Sequence, residues 1–500
     1  MIGKNVALPS AATPSSNVET VTSRCTKRNY DLKRKRRSEL HGGNSDALLG
    51  ARHDARGEVN VARQLIGKMA EVSTATDRHG DDISTSAIES TSRTVHSGRS
   101  LDDSVLSLKS KRTFQLISKK NSQRTKAWLR VTPTVEGARL EAVSLLCFRF
   151  EQATGKYFGP CWANKFEEFL LCHDQSDDPL LPNDKDATSF LRSRLLAARV
   201  PKHIIDKTVL TLLTCLRHAR NRILTEAGPS KSAEKRQQVT VSFFENSMHE
   251  PRVRMCLGGA RVEIRAEYYE KLRHLFAMRS ESSLPLSSDD ISVFQSATFS
   301  MLCRYTAAQG GMHRMSGGHH TALHAAVFDV LQHGLDVEAE CFASPLNCHF
   351  HEYCSLFPDT DTTFGSRGSF FSFFPAEGSF ECNPPFEEGI VLRCAEHVLL
   401  LLSRAEELKT ALSFVVITPY WPGRLAWETV ASSQNTSHVE RIRRNEHSFL
   451  DGAQHTKRKR YRFASSDTTV CFLQSSVGKK RFAVTANLLR SLKVAFMPPS

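Results

Sequence analysis

Ser379-Phe380-Glu381-Cys382-Asn383-Pro384-Pro385-Phe386 carries a strand ending straight into a proline-locked corner. The residues after this corner decide the fold. Residues 388–408 place apolar side chains at helical spacing, and Leu412 to Pro419 is a nearly all-apolar run of strand length. A strand buried on both faces reads this way when it sits inside a parallel sheet. Working outward, Val337 to Ala343, Ser369 to Phe374 and Thr468 to Gln474 read as further strands. His320 to Leu335 and Asn487 to Val494 read as helices. Strands alternating with helices predict a doubly wound α/β sheet.

Such sheets bind ligands beyond the carboxyl ends of their strands. Asn383 stands at one such end. The end of the 337–343 strand supplies Glu340, Phe342, Ala343, Ser344, Pro345 and Asn347, and the end of the 412–419 strand supplies Pro419, Tyr420 and Trp421. Phe364-Gly365-Ser366-Arg367-Gly368 adds a glycine turn able to bring backbone near a ligand, though glycine turns before strands are common.

The corner suits one chemistry. The lone pair of an aromatic amine is conjugated into its ring, so the nitrogen is a poor nucleophile. Acceptors that hold both N–H groups draw it toward sp³ and aim the lone pair. The Asn383 side-chain oxygen and the Pro384 carbonyl can be those acceptors. Pro384 and Pro385 fix φ and stiffen the loop. Phe386 offers a face for a base to stack on. Read alone, the same four residues also make an ordinary strand-end turn with a core phenylalanine.

Before this block the period changes twice. From about 126 to 228 it is helical, with Leu140, Val143, Cys147, Phe150, Phe166, Phe169, Leu191 and Leu195 on apolar faces. Its arginines (Arg139, Arg149, Arg192, Arg194, Arg199, Arg217, Arg220, Arg222) could hold phosphates or serve as solvated helix faces. From about 238, Val239–Phe243, Val253–Leu257 and Arg261–Ile264 alternate as a short antiparallel meander, turned at Gly258-Gly259. It opens a domain running to residue 500. Tyr268 to Phe276 and Ile291 to Ala308 are then helical.

Residues 1–124 are rich in Ser, Thr, Arg, Asp and Gly, with Tyr30 and Phe114 their only aromatics. Such a segment buries too little apolar surface to order itself and is expected to be a disordered basic tail. Lys33-Arg34-Lys35-Arg36-Arg37 resembles a nuclear-import signal, or else is a solvated basic run. Net charge over the 500 residues is +14, which favours an anionic partner, most simply nucleic acid. The 13 cysteines lack CxxC pairing, so they are expected to be reduced thiols with no structural metal. His319, His320 and His324 read as incidental histidines at a helix start. No apolar run approaches about 18 residues and no signal peptide opens the chain, so neither a membrane span nor secretion is expected. No Walker A pattern, GxGxxG, nucleophile elbow or HExxH occurs.

Four motifs now stand in order: Cys341-Phe342-Ala343-Ser344-Pro345-Leu346-Asn347-Cys348, Phe357-Pro358-Asp359-Thr360-Asp361, Phe364-Gly365-Ser366-Arg367-Gly368 and Gly378 through Phe386. Together they resemble the phosphorylated-CTD-interacting factor family, the cap-specific adenosine N6-methyltransferases. The likeness covers about residues 230–495, and the helical region loosely. It implies a class I methyltransferase core packed on a helical domain. It also implies methyl transfer from S-adenosyl-L-methionine to N6 of the adenosine beside the 7-methylguanosine cap at the mRNA 5′ end, a 2′-O-methylated one being preferred. Carried onto this chain, Asn383 to Phe386 would hold the adenine. Glu388, Asn445, Glu446 and His447 would meet the methyl donor, with Glu340, Ala343, Ser344 and Pro345 at the strand end. Trp421, Pro422, Gly423, Arg424 and Leu425 would lie along the substrate, and Arg139 stands for the family's phosphate-binding arginines.

One departure is expected. Animal members carry a WW domain that docks the polymerase tail, and the four tryptophans here lack its spacing. The chain is therefore expected to lack that domain, which puts polymerase-tail contact in doubt. Other readings stay open: an amino-methyltransferase acting on DNA adenine or protein glutamine, or a non-catalytic RNA-binding relative.

Overall fold

The computed structural model describes residues 131–172, 178–228, 238–280, 286–312, 318–458 and 460–498. The expected tail, with its basic run at 33–37, lies outside them. Of two units, Met1–Arg99 and Ser100–Ser500, the second contains every described residue.

Four helices come first: α1 (Pro133–Phe158), α2 (Trp162–Leu171), α3 (Asp184–Ala197) and α4 (Lys202–Ala227). Thr132 starts α1 by accepting from Val135 N at 3.3 Å, with Pro133 at the first helical position. Phe150, Phe166, Phe169 and Phe190 cluster in the core between these helices, Phe150 edge-on to Phe166. Next come β1 (Thr240–Glu245), β2 (Pro251–Leu257) and β3 (Ala260–Arg265), an antiparallel meander as expected. Then follow α5 (Ala266–Ser280) and α6 (Ser288–Ala308). Gly311 ends that segment at φ +88, where a Cβ would lie 2.7 Å from the Ser144 Cα of α1.

The central sheet has the order β5-β4-β6-β7-β11-β8. Its strands are β4 (Val337–Ala343), β5 (Tyr353–Ser355), β6 (Gly378–Cys382), β7 (Leu412–Pro419), β8 (Thr436–Ile442) and β11 (Thr468–Gln474). β5, β4, β6 and β7 are parallel, whereas β11 lies antiparallel to both β7 and β8. The sheet is therefore mixed, not wholly parallel. One face packs on α7 (Ala325–Leu335) and α12 (Ala486–Ala495) through Val327, Leu331, Val415, Ile417, Val470 and Leu492. The other packs on α9 (Glu388–Leu408) and α10 (Leu425–Ala431) through Phe380, Cys382, Val398, Leu402, Phe414 and Val430. Two shorter helices, α8 (Pro358–Asp361) and α11 (Ser476–Arg481), flank the sheet, and β9 (Ser448–Leu450) pairs with β10 (Tyr461–Phe463) as a separate antiparallel ribbon.

Three expectations change. Residues 369–374 do not form a strand; Phe370–Ser372 is a 3-10 turn. A pleated strand would alternate its phenylalanines between two faces. Instead Phe370, Phe371 and Phe374 gather around the His397 ring, whose Nε2 lies 3.1 Å from the Phe373 carbonyl. The helix expected from His320 begins at Ala325: Gly318–His320 is a 3-10 turn, and residues 321–324 form a non-helical strap before the helix. β5 and β8 were not expected. β8 shows period-two burial that its sequence could have revealed.

Candidate active site

The corner forms at the carboxyl end of β6. Gly378 opens that strand at φ +119, where a Cβ would stand 2.9 Å from the Phe380 ring. Phe380 and Cys382 point to the α9 side, so strand alternation turns Glu381 and Asn383 to the α7 side. There the Asn383 Nδ2 donates to the Thr321 carbonyl at 3.3 Å. Its Oδ1 has no partner, although the residue is only 8% exposed. A buried acceptor without a donor is costly, of order 1–3 kcal/mol, and this oxygen is free to accept an N–H from outside the chain. Phe386 is half-buried and rests edge-on against Phe449, 5.8 Å between centroids. The Pro385 carbonyl accepts from Glu387 N at 2.7 Å, closing the turn into α9. Glu387 caps that helix by accepting from Ile390 N at 3.0 Å.

The strap over the site is held from both sides. Asn347 donates its Nδ2 to the His320 carbonyl at 3.3 Å, and Ala322 bridges Leu450 of β9. Thr321, the residue that orients Asn383, thus belongs to a segment tied to β4, β6 and β9 together.

Glu381 neighbours Glu340 across the β4–β6 ladder, and both are almost wholly buried. Glu340 Oε2 accepts from His349 N at 2.6 Å and Phe350 N at 3.0 Å. Burial nevertheless pushes its pKa up to about 7. Burial, and then the charge of Glu340, push Glu381 well above the carboxylate range. Two adjacent carboxyls cannot both ionise cheaply. Glu340 has the N–H donors, so Glu381 is the carboxyl that burial leaves protonated. Glu381 Oε1, like Asn383 Oδ1, is buried without a partner.

The other expected residues divide. Ser344 caps its own turn, with N and Oγ both donating to Asn347 Oδ1 at 2.7 Å. Glu388 accepts from Arg424 Nη1 at 3.0 Å, which ties the Trp421–Leu425 loop after β7 to the start of α9. Trp421 is half-buried there, and Pro422, Gly423, Arg424 and Leu425 are exposed. Asn445 and Glu446 are exposed beyond the end of β8, at the opposite edge of the sheet from β5. Ser355 N donates to the Gly368 carbonyl and Arg367 N to that of Tyr353, so the glycine turn extends the sheet beside β5.

Two assignments are corrected. Arg139 cannot serve a phosphate: it is 1% exposed, and its guanidinium is held by Glu136 and by Asp178 at 3.0 Å. His447 does not open onto a donor pocket. Its Nδ1 meets the Arg443 carbonyl and its Nε2 the Thr468 hydroxyl, each at 2.7 Å, and burial holds its pKa below the usual value. Sequence reading also passed over the strap, Phe449, and the contact of Arg194 on α3 with Glu387 at 3.4 Å. Each depends on residues far apart in the chain, which local periodicity does not register.

Residues 271–452 match the family model described as Phosphorylated CTD interacting factor 1 WW domain. That overturns the expectation that the WW domain is lacking. With it goes the doubt about polymerase-tail contact, which rested on that absence. Tryptophan spacing was the wrong signal. The matched span holds only Trp421 and Trp427, and here it runs from α5 through most of the central sheet to β9.

Two relatives are named mRNA (2′-O-methyladenosine-N(6)-)-methyltransferase. The human protein is 34% identical over 242 residues, covering 48% of this chain and 33% of the relative. The mouse protein is 35% identical over 245 residues, with the same shares. The chain spans about a third of the length of these relatives.

Proposed function

We propose that this chain transfers the methyl group of S-adenosyl-L-methionine to N6 of the cap-adjacent (2′-O-methyl)adenosine of mRNA. The observation that carries the reading is the buried, unpartnered Asn383 Oδ1 at the carboxyl end of a parallel strand. Asn383 Oδ1 would accept one N–H of the adenine amine and the Pro384 carbonyl the other, while Phe386 stacks on the ring. The strap keeps Asn383 in that rotamer through the Thr321 carbonyl. Two prolines keep the corner from rearranging as the nitrogen becomes tetrahedral.

The residues present can hydrogen-bond the polar groups of a methyl donor. Glu381 offers a buried carboxyl oxygen without a partner on the same face as Asn383, beside Glu340. Glu340 and the Ala343–Pro345 turn would hold the donor. When bound, it supplies an electrophilic methyl carbon on sulfur.

The four parallel strands, with helices on both faces and the corner at their carboxyl ends, support a class I methyltransferase core. We divide the chain as a helical domain at 126–228 and a methyltransferase domain at 238–500 opened by the meander. Nuclear residence is proposed from residues 33–37; imaging in which a chain lacking residues 1–40 stayed nuclear would count against it.

Incubating the full chain with labelled donor and capped adenosine-initiated RNA, uncapped RNA, duplex DNA or a glutamine-bearing protein tests the reading. Label is expected in the capped RNA, at N6 of its first adenosine by mass spectrometry. Label in DNA or protein alone would reject it.

A further inference from the structure

Beside the corner lies a surface that methyl transfer itself does not use. Residues 456–463, Thr-Lys-Arg-Lys-Arg-Tyr-Arg-Phe, contain no acidic side chain. Their last three residues are β10, exposed along its whole length. Phe463 is 67% exposed and Tyr461 47%. Strand alternation puts these two rings on one face, about 7 Å apart, and Arg460 and Arg462 on the other. Exposed aromatic rings on an ordered strand, flanked by guanidinium groups, are what bases stack on while phosphates are held alongside.

The basic side chains do meet acids: Lys457 with Asp451 at 3.0 Å, Arg460 with Glu267 at 3.3 Å, Arg458 with Glu250 at 3.9 Å and Arg462 with Asp451 at 4.0 Å. Each cation remains 38% exposed or more. The Arg460–Glu267 pair is exposed on both sides and so contributes little, and Arg462 lies 4.0 Å from an Asp451 that keeps Lys457, so these two guanidiniums can turn to phosphates.

The ribbon is built into the site. Phe449 of β9 supports Phe386, Leu450 bridges the strap, and the Tyr461 ring lies 5.1 Å from that of His324, where the strap enters α7. A strand of nucleic acid leaving the Asn383 corner therefore has an aromatic, basic track adjoining it. We propose that the exposed strand β10, with Tyr461 and Phe463 on one face and Arg462, next to Arg460, along the other, binds the single-stranded RNA that continues beyond the modified nucleotide. This rests on the proposed function for the direction of the strand, and on the ribbon alone for its chemistry.

The test is equilibrium binding of the full chain, without methyl donor, to a capped trinucleotide and to a capped RNA of about 12 nucleotides, within the span one strand-binding surface covers. The unaltered chain should bind the longer RNA more tightly. Phe463→Ser should weaken the longer RNA about tenfold and leave the trinucleotide unchanged, with Phe463→Trp restoring the difference. Arg460→Gln with Arg462→Gln should lower the slope of log affinity against log salt by about 0.7 for each phosphate no longer neutralised. An undiminished length advantage in these variants overturns the proposal. So does a ribbon that takes an acidic peptide in preference to the longer RNA. Methyl transfer to the trinucleotide reports on the proposed function separately, because Phe463, Arg460 and Arg462 are not part of the Asn383 corner.

Discussion

Asn383→Ala should slow methyl transfer to capped, adenosine-initiated RNA by about 10²- to 10³-fold, the scale set by losing one preorganised polar partner of a transition state. The amine must lose conjugation with its ring to attack, and under the proposed function Asn383 Oδ1 is the acceptor that would help it do so. The alanine removes the acceptor and also the tie to Thr321. Equilibrium binding of the RNA should change little, because the proposed stacking on Phe386 is unaltered. Single-turnover rates with saturating donor separate the two. A variant within about fivefold of the unaltered chain would show that the corner does not activate the amine. Asn383→Asp gives a second reading: it keeps an acceptor but turns a carboxylate toward the Thr321 carbonyl, so it too should be slow.

Glu136→Leu should lower stability by about 3–5 kcal/mol, the cost of stranding buried charges. Glu136 lies between two buried guanidiniums. Arg304 donates Nε to Glu136 Oε2 at 2.8 Å and Nη2 to Oε1 at 2.7 Å, and Arg139 meets Oε1 as well. Arg304 reaches on to Asp359 at 2.9 Å and Arg139 to Asp178 at 3.0 Å. Glu136, Arg139 and Arg304 are each 1% exposed. Burial by itself would raise the Glu136 carboxyl, but the two guanidiniums carry it below its ordinary value. Its stabilising effect is therefore complete above the ordinary carboxylate pKa and is lost as pH falls through the lower folded value. Thermal unfolding should show Tm reduced by about 4–7 °C in the variant. The variant should also lose less stability on acidification. An unchanged Tm would mean that the network is not what joins α1 to α6 and the Asp359 turn.

Much of the site was legible because its residues are neighbours in the chain. Asn383 through Phe386 are consecutive, and the strand before them and the helix after them announce themselves by period. The bounds of α9, β4, β7 and β11 match the apolar runs that predicted them. Arg139 was misread because one sequence cannot tell a phosphate-holding arginine from one paired inside a core. Only the approach of Asp178, 39 residues away, distinguishes them. His447 failed for the same reason: Thr468 closes its second nitrogen. The aromatic run at 369–374 has strand composition, yet packing around His397 competes with pairing and wins.

By itself, then, the order of residues determined a strand–corner–helix unit with an amide acceptor at its tip, because backbone geometry and apolar period act over a few positions. Folding in three dimensions decided that this acceptor is buried and left without a donor, that Glu381 lies against Glu340, and that a strap and an aromatic ribbon flank the corner. Those facts depend on contacts between residues tens to hundreds of positions apart, whose energies are set by burial and electrostatics that no local pattern carries.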